Sequence, residues 1–220
     1  MPDAARRTLV LGGTRSGKSA HAEGLLPADL PVRYVATGRT RPDDPEWTAR
    51  IDAHRSRRPA GWLTVETSDL VGEFARSADA SLLVDDLATW LTGVLDDAAA
   101  WDGAPEALAV AGAEVDALVD AVGRCPGRLV LVSAEVGLGV VPATRSGRLF
   151  RDELGALNAR LAQVCHEVLL LVAGIPLRLR CVWAGPGRGW CPAGAQPRVP
   201  RPRRSRRCWT HGGVSGDRAS

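Results

Sequence analysis

The chain has 220 residues, which is enough for one α/β domain with a substantial core and too few for two ordinary domains. Its formal net charge is +3, but residues 181–220 hold eight Arg and one acid, so the rest of the chain is mildly acidic. A nucleic-acid partner would therefore depend on the last 40 residues alone, and we expect none. No run of 18 apolar residues occurs, so we expect no membrane span.

Along the chain, apolar runs of strand length alternate with segments of helical character. The first seven residues are polar and lack the apolar core of a signal peptide, so we expect a cytoplasmic protein. The predicted strands are Thr8–Leu11, Val32–Ala36, Leu63–Val65, Ser81–Val84, Leu129–Ser133 and Val168–Ala173. The predicted helices are Ala20–Leu26, Pro45–Arg57, Leu70–Ser77, Ala88–Leu95, Pro105–Val122 and Phe150–Glu167. This alternation predicts an α/β fold whose mostly parallel sheet is covered by helices on both faces.

The alternation stops near Arg180, which predicts one domain over residues 1–180 and a tail over residues 181–220. The tail has seven Gly, five Pro and eight Arg, and three Val are its only branched aliphatic residues. A segment of this composition cannot bury enough apolar surface to offset the entropy lost on ordering. We therefore predict a disordered basic tail. Its three Trp leave a tail that binds RNA or a partner as the alternative.

Residues 12–19 match the P-loop pattern GxxxxGK[ST] between a strand and a helix. Glycines let the backbone N–H groups of such a loop face a phosphate, and the helix N-terminus adds positive potential. Lys18 would contact the β- and γ-phosphates, and the Ser19 hydroxyl would bind Mg²⁺. Lys18 is also the only lysine of the chain, which suggests chemistry specific to an ammonium group. The predicted nucleotide-binding residues of this loop are Gly12, Gly13, Thr14, Arg15, Ser16, Gly17, Lys18 and Ser19.

A carboxylate follows the apolar strand Ser81–Val84. Asp85 at the end of a buried strand is the usual second support of Mg²⁺ in P-loop proteins, held directly or through water. Asp86 competes for this role, and a helix N-cap is the structural alternative for an aspartate at this position.

Two further segments carry polar groups or glycines that suit a ligand site. Glu46, Arg50 and His54 recur at a spacing of four and share one helical stripe, where a solvated charged face is the alternative. The arginines at 50, 55, 57 and 58 would favour the neutral, nucleophilic imidazole of His54 and would hold phosphates. The glycines of Glu135–Gly139 suit a loop at the carboxyl edge of the sheet, where ligands bind in open α/β folds, although an ordinary turn fits equally.

Taken together, these residues resemble the bifunctional adenosylcobinamide kinase/adenosylcobinamide-phosphate guanylyltransferase family of cobalamin biosynthesis. The resemblance runs from Thr8 to about Arg180 and includes the whole P-loop. Its other marks are His21–Glu23, Tyr34–Thr37, Arg50-Ile51, His54, Arg58-Pro59, Trp62–Glu66, Asp85, Glu135–Pro142, Phe150–Asp152, Asn158 and Gly174–Pro176.

The resemblance implies a RecA-like P-loop fold that assembles as a homo-oligomer, often a trimer. It implies that the aminopropanol hydroxyl of adenosylcobinamide, the corrinoid substrate, is phosphorylated with ATP or GTP. GMP would then pass from GTP to that phosphate through a covalent histidine intermediate, for which His54 is the matching position. Mg²⁺ would be held by Ser19 and Asp85. The further nucleotide contacts that the resemblance implies are Ala36, Thr37, Arg55, Arg58, Glu66 and Asp85.

The chain departs from the family pattern in three places. Ala134 stands where the family often has Asn, and Asp86 stands where it often has Cys. The tail has no counterpart. Two other functions stay open: a monofunctional P-loop kinase of a small metabolite, which needs no nucleophilic histidine, and a nucleotide-dependent regulatory protein that depends on its basic tail.

Overall fold

The computed structural model describes residues 7–26, 31–38, 59, 61–77 and 80–181. Within these ranges the strands are β1 (Arg7–Gly12), β2 (Val32–Ala36), β3 (Leu63–Glu66), β4 (Ser81–Asp85), β5 (Leu129–Ala134), β6 (Glu167–Val172) and β7 (Ile175–Cys181). The helices are α1 (Lys18–Gly24), α2 (Leu70–Arg76), α3 (Leu87–Asp97), α4 (Pro105–Arg124) and α5 (Arg145–Val164), with a 3₁₀ turn at Ala100–Asp102.

The seven strands form one sheet in the order β3-β2-β4-β5-β1-β6-β7. The first six strands of this order run parallel, and β7 pairs with β6 in the antiparallel direction. The central strands are buried along nearly their whole length, as expected for parallel strands that are covered on both faces. The prediction of an α/β fold with a mostly parallel sheet is confirmed.

Alternate side chains of the strands pack into two separate hydrophobic cores. On one face, residues such as Leu9 and Leu131 pack with α2, α3, α4 and α5. On the other face, Val10 and Val132 pack with Ala22 of α1. Because neighbouring side chains of a strand point to opposite faces, one apolar strand supplies both cores. The described helices therefore lie on both faces of the sheet.

The last helix differs from its prediction at both ends, since α5 spans Arg145–Val164 rather than 150–167. The Thr144 hydroxyl accepts a hydrogen bond from Gly147 N at 3.1 Å, and this N-cap lets the helix begin five residues earlier. At the other end, Cys165 is extended and His166 N donates to Arg7 O at 2.9 Å. The chain thereby joins the edge of β1, and Glu167 becomes the first residue of β6.

Strand β7 was not predicted from the sequence. It follows β6 through a two-residue turn in which Ala173 and Gly174 have φ angles of 52° and 80°. Such hairpin turns favour Asn-Gly or Asp-Gly, and an Ala-Gly pair gives a weak signal for them. Pro176 is compatible with the strand because β7 lies at the edge of the sheet, where an amide donor is dispensable.

Two predicted segments, the helix over residues 45–57 and the tail after residue 181, lie outside the described residues. Within the described part of the chain, no helix combines the length and the apolar character needed to cross a bilayer.

Deletion of residues 182–220 is expected to leave the melting temperature and both activities that the family resemblance implies nearly unchanged, because the tail has few apolar side chains to dock on a core. The deletion starts at residue 182 so that Cys181, the last residue of β7, is retained. Calorimetry of the full chain and the truncated chain measures the effect. A fall in melting temperature of more than about 4 °C, the size that about 1 kcal/mol produces, would show that the tail packs on the domain.

Candidate functional site

The loop between β1 and α1 has the backbone that its glycines predict. Gly12 is buried, and a Cβ at this position would overlap the Ser16 hydroxyl and approach Leu171 O to 3.0 Å. Gly17 has a φ of 86°, which a residue with a side chain rarely adopts. The loop closes through Ser16 N, which donates to Gly13 O at 3.2 Å. Lys18 and Ser19 consequently lie in the first turn of α1, beside the loop.

Ser19 and Asp85, which the sequence predicts to share a magnesium ion, lie next to each other. The Ser19 hydroxyl donates to Asp85 Oδ1 at 3.3 Å, although 66 residues separate the two. Asp85 is the last residue of β4 and is partly buried. Hydroxyl and carboxylate oxygens are the ligands that Mg²⁺ prefers, so this pair fits the ion chemically. The residues that would hold the ion thus converge, and their role as ligands stays a prediction.

Tyr34, to which the sequence analysis gave no role, orients Asp85. Its ring is buried in β2, and its hydroxyl donates to Asp85 Oδ2 at 2.6 Å. With one oxygen bonded to Tyr34 and the other to Ser19, the carboxylate of Asp85 has a fixed orientation. Tyr34 is the only tyrosine of the chain. The hydroxyl of a buried tyrosine usually forms a hydrogen bond with a polar group. A tyrosine in a predicted buried strand was therefore the sequence signal for such a contact.

Asp86 has a different environment from Asp85. Its side chain accepts a hydrogen bond from Ala88 N at 2.8 Å and caps the N-terminus of α3. Burial raises the pKa of the Asp86 carboxyl to about 6; the hydrogen bond from Ala88 opposes the rise, the Asp85 charge adds to it, and the Lys18 charge lowers the pKa. The capping role predicted for an aspartate at this position falls on Asp86, which leaves Asp85 beside Ser19.

The ends of β2 and β3 continue the same edge of the sheet. Ala36 lies opposite both Asp85 and Glu66 in the strand register. Thr37 is buried, and its hydroxyl donates to Asp86 O at 2.7 Å and accepts from Asp86 N at 3.1 Å. Glu66 is exposed at the end of β3. The structure therefore brings Ala36, Thr37 and Glu66 together with Asp85 on one side of the P-loop.

The segment after β5 and the turn after β6 border the P-loop directly, because β1 lies between β5 and β6 in the sheet. Glu135 N donates to Gly12 O at 3.0 Å, and Gly174 N donates to Ser16 O at 3.0 Å. Asn158 of α5 donates through Nδ2 to Ala134 O at 3.0 Å and fixes the end of β5. The expectation that the glycine-containing segment after β5 lies at the carboxyl edge of the sheet is confirmed.

Three predicted site residues, His54, Arg55 and Arg58, lie outside the described residues. The described half of the predicted site consists of the P-loop, Asp85 and the ends of β2 and β3.

Removal of the Tyr34 hydroxyl is expected to weaken the proposed magnesium site. Because a hydrogen bond to a charged group contributes about 1.5–3 kcal/mol, Tyr34→Phe should destabilise the fold by a similar amount and leave Asp85 less well oriented. A titration of kinase activity against Mg²⁺ should show a higher concentration at half-maximal rate.

The matched control is Thr8→Val, which removes another buried hydroxyl that bonds a carboxylate, Glu167, at the opposite edge of the sheet. This variant should be less stable without a change in Mg²⁺ dependence. Equal Mg²⁺ curves for Tyr34→Phe and the wild type would contradict an orienting role for Tyr34.

The sheet order, the loop after β1 and the carboxylate at the end of β4 define a P-loop nucleoside triphosphatase fold. In agreement, the structure is similar to an ATPase from the type III secretion system of pathogenic bacteria, with a TM-score of 0.50 and 11% sequence identity. That likeness covers 77% of this chain and 52% of the ATPase, and it concerns the fold alone.

Within this class, the family model described as cobinamide kinase / cobinamide phosphate guanyltransferase matches residues 8–179. The chain is 43% identical over 180 residues to the bifunctional adenosylcobalamin biosynthesis protein CobP of Pseudomonas aeruginosa, covering 79% of this chain and 97% of that protein. It is 39% identical over 181 residues to the bifunctional adenosylcobalamin biosynthesis protein CobU of Escherichia coli, covering 78% and 98% of the two chains. The chain belongs to the cobinamide kinase / cobinamide phosphate guanyltransferase family, a family of transferases.

Proposed function

We propose that this chain phosphorylates adenosylcobinamide with ATP or GTP and then transfers GMP from GTP to adenosylcobinamide-phosphate, giving adenosylcobinamide-GDP. The observation that carries the proposal is the family match over residues 8–179, which includes the P-loop and the strand-end Asp85. The monofunctional kinase loses support, because the family and both relatives described above are bifunctional by name.

The first reaction places the triphosphate in the P-loop. Backbone N–H groups of Gly12–Ser19 and the ammonium of Lys18 stabilise the negative charge on the β- and γ-phosphates. The acceptor hydroxyl oxygen bonds the γ-phosphorus, the bond to the β–γ bridging oxygen breaks, and the hydroxyl proton is released. The nucleoside diphosphate leaves. Ser19 and Asp85, with oxygens 3.3 Å apart, would hold Mg²⁺, which supplies charge neutralisation on the phosphates.

The second reaction uses His54 as a nucleophile. One imidazole nitrogen bonds the α-phosphorus of GTP, the α–β bridging bond breaks, and pyrophosphate leaves. A phosphate oxygen of the phosphorylated corrinoid then bonds the same phosphorus while the P–N bond breaks and the imidazole accepts a proton. Arg55 and Arg58 would hold the phosphates during both displacements. Ala36, Thr37 and Glu66 would contact the nucleotide next to the P-loop, where the ends of β2 and β3 lie.

Two properties of the whole molecule complete the proposal. We expect a homo-oligomer, a trimer by family resemblance, which light scattering in solution would measure. We also place the protein in the cytoplasm, where nucleotides and a small corrinoid are available, and expect no nucleic-acid partner.

A two-stage assay tests the proposal. The full chain is incubated with adenosylcobinamide, ATP and Mg²⁺, and the products are separated and weighed by mass spectrometry; GTP is then added. We expect first a mass gain of one phosphate and then a second gain of one GMP. Phosphorylation without the second gain would favour the monofunctional kinase, and the absence of both would favour the nucleotide-dependent regulatory protein.

A further inference from the structure

Exposed apolar side chains flank the P-loop on both of its neighbouring strands. In the sheet, β1 lies between β5 and β6, so the segments after these two strands border the loop after β1. The β5–α5 segment exposes Leu138 by 80%, Val140 by 95% and Val141 by 61%. The β6–β7 turn region exposes Val172 by 52% and Ile175 by 65%. We call these five side chains the apolar flank.

Hydrogen bonds hold the backbone of both segments that carry the apolar flank. Hydrogen bonds join both segments to the loop, from Glu135 N to Gly12 O and from Gly174 N to Ser16 O, each at 3.0 Å. Within the first segment, Glu135 Oε1 accepts from Gly137 N at 2.7 Å. Its far end is held by Arg148, whose Nη1 donates to two consecutive carbonyls, at 3.0 and 2.8 Å. The exposed apolar side chains therefore lie on segments whose backbone is held in place by hydrogen bonds.

The opposite half of the same edge is polar. The carboxyl ends of β4, β2 and β3 supply Asp85, Asp86, Thr37 and Glu66. Residues 136–142 and 172–177, in contrast, contain no charged side chain. The carboxyl edge of the sheet is therefore divided between β4 and β5 into a polar half at β3, β2 and β4, which holds proposed nucleotide contacts, and a half at β5 and β6, on either side of the P-loop, that is apolar apart from Glu135. Several exposed apolar side chains close to a ligand loop are a feature of binding sites.

The kinase reaction requires a second substrate next to the P-loop. Its hydroxyl oxygen must come within about 3–3.5 Å of the γ-phosphorus for reaction, so the rest of the acceptor lies within reach of the loop's neighbours. A corrinoid is a large macrocycle whose rim carries methyl groups between amide side chains. Since the polar half is assigned to the nucleotide, the apolar flank is the part of the described edge that matches the methyl-bearing rim.

We propose that the apolar flank, Leu138, Val140, Val141, Val172 and Ile175, binds the corrin macrocycle of the acceptor and positions its hydroxyl over the γ-phosphate. This inference rests on the proposed function and adds to it the location of the second substrate. The side chains act as binding and positioning residues, and the chemistry stays with the P-loop.

Two variants test the flank, one for each segment: the double variant Leu138→Asn/Val140→Asn and the single variant Ile175→Asn. All three positions are more than half exposed, so the substitutions are expected to leave folding intact. The matched control is Val110→Asn, which replaces a valine exposed by 60% on α4. Equilibrium dialysis measures the affinity for adenosylcobinamide, whose visible absorbance reports its concentration. Kinase assays give KM for the corrinoid and the nucleotide separately.

We expect the double variant to weaken corrinoid binding and to raise its KM by about tenfold or more, as when two large side chains lose apolar contact. Ile175→Asn should show a smaller change in the same direction. The KM for the nucleotide and labelling by α-phosphate-labelled GTP without corrinoid should equal the wild-type values, and Val110→Asn should match the wild type throughout.

Three results would overturn the inference. Unchanged corrinoid affinity in both variants would exclude the flank as the corrinoid-binding site, even if turnover were lower. A lower molecular mass by light scattering, together with lost GTP labelling, would show that the flank contacts a second copy of the chain. A wild-type protein that binds no corrinoid would exclude the site altogether. A wild type that binds corrinoid at the flank but never phosphorylates it would leave the inference standing and contradict the proposed function.

Discussion

Replacement of His54 by Ala is expected to abolish labelling of the protein by α-phosphate-labelled GTP while it spares much of the phosphorylation of adenosylcobinamide. Only the second reaction uses a protein nucleophile, because in the first the substrate hydroxyl attacks the γ-phosphorus itself. Labelling and GMP transfer should fall by about a thousandfold or more, as happens when an enzyme loses its nucleophile. Denaturing electrophoresis after incubation with the labelled nucleotide measures the first effect.

Two features make this experiment specific: the chemical stability of the phosphorus–nitrogen bond to the label, and a control variant. The label on the wild type should be lost in acid and kept in base, as expected of a phosphoramidate. His21→Ala is the matched control, since His21 belongs to α1 directly after the P-loop and its backbone N–H, which donates to Gly17 O, is retained. Labelling that persists in His54→Ala would assign the nucleophile elsewhere, with His21 next to be tested. Loss of kinase activity in the same variant would mean that His54 serves both reactions or the fold.

Replacement of Lys18 is expected to remove both activities, because both reactions use phosphates held by the same loop. Lys18→Ala should lower each rate by about a hundredfold or more, the size seen when one preorganised charge-stabilising group is removed. Lys18→Arg should fail as well. The guanidinium is wider than the ammonium and cannot act as a compact point charge between phosphates.

The control for the lysine-to-arginine exchange uses the reverse change on the surface. Arg124→Lys alters an exposed residue at the end of α4, whose contact with Asp120 is a surface ion pair 3.4 Å long. It should leave both activities and the melting temperature near the wild-type values. Steady-state rates of phosphorylation and of GMP transfer measure all three variants. A kinase rate in Lys18→Arg close to that of the wild type would refute the explanation of the single lysine.

Much of the fold follows from local patterns in the sequence. Strand β2 has the predicted bounds, and β1, β4, β5 and β6 differ from prediction by one or two residues at most. These strands were predictable because parallel strands buried on both faces require continuous apolar runs. The P-loop was predictable because its glycines, lysine and serine lie in one short segment, so their spacing is visible without knowledge of the fold.

Several features depend on contacts between distant parts of the chain. The bond from Tyr34 to Asp85 spans 51 positions, and that from Ser19 to Asp85 spans 66. A sequence pattern shows that Asp85 ends a strand, but it does not show which side chains orient the carboxylate. Likewise, the choice of Asp86 as the N-cap of α3 follows from backbone geometry at the end of β4.

The sequence alone determined the alternation of strands and helices and the phosphate-binding loop, because each is encoded by neighbours in the chain. The tertiary structure decided the strand order, and strand order decides which loops surround the P-loop. It placed β1 between β5 and β6 and so set two apolar segments beside the phosphate site, with the polar segments beyond β5. Segments more than 30 residues apart meet there because packing of the sheet, rather than local propensity, selects neighbouring strands.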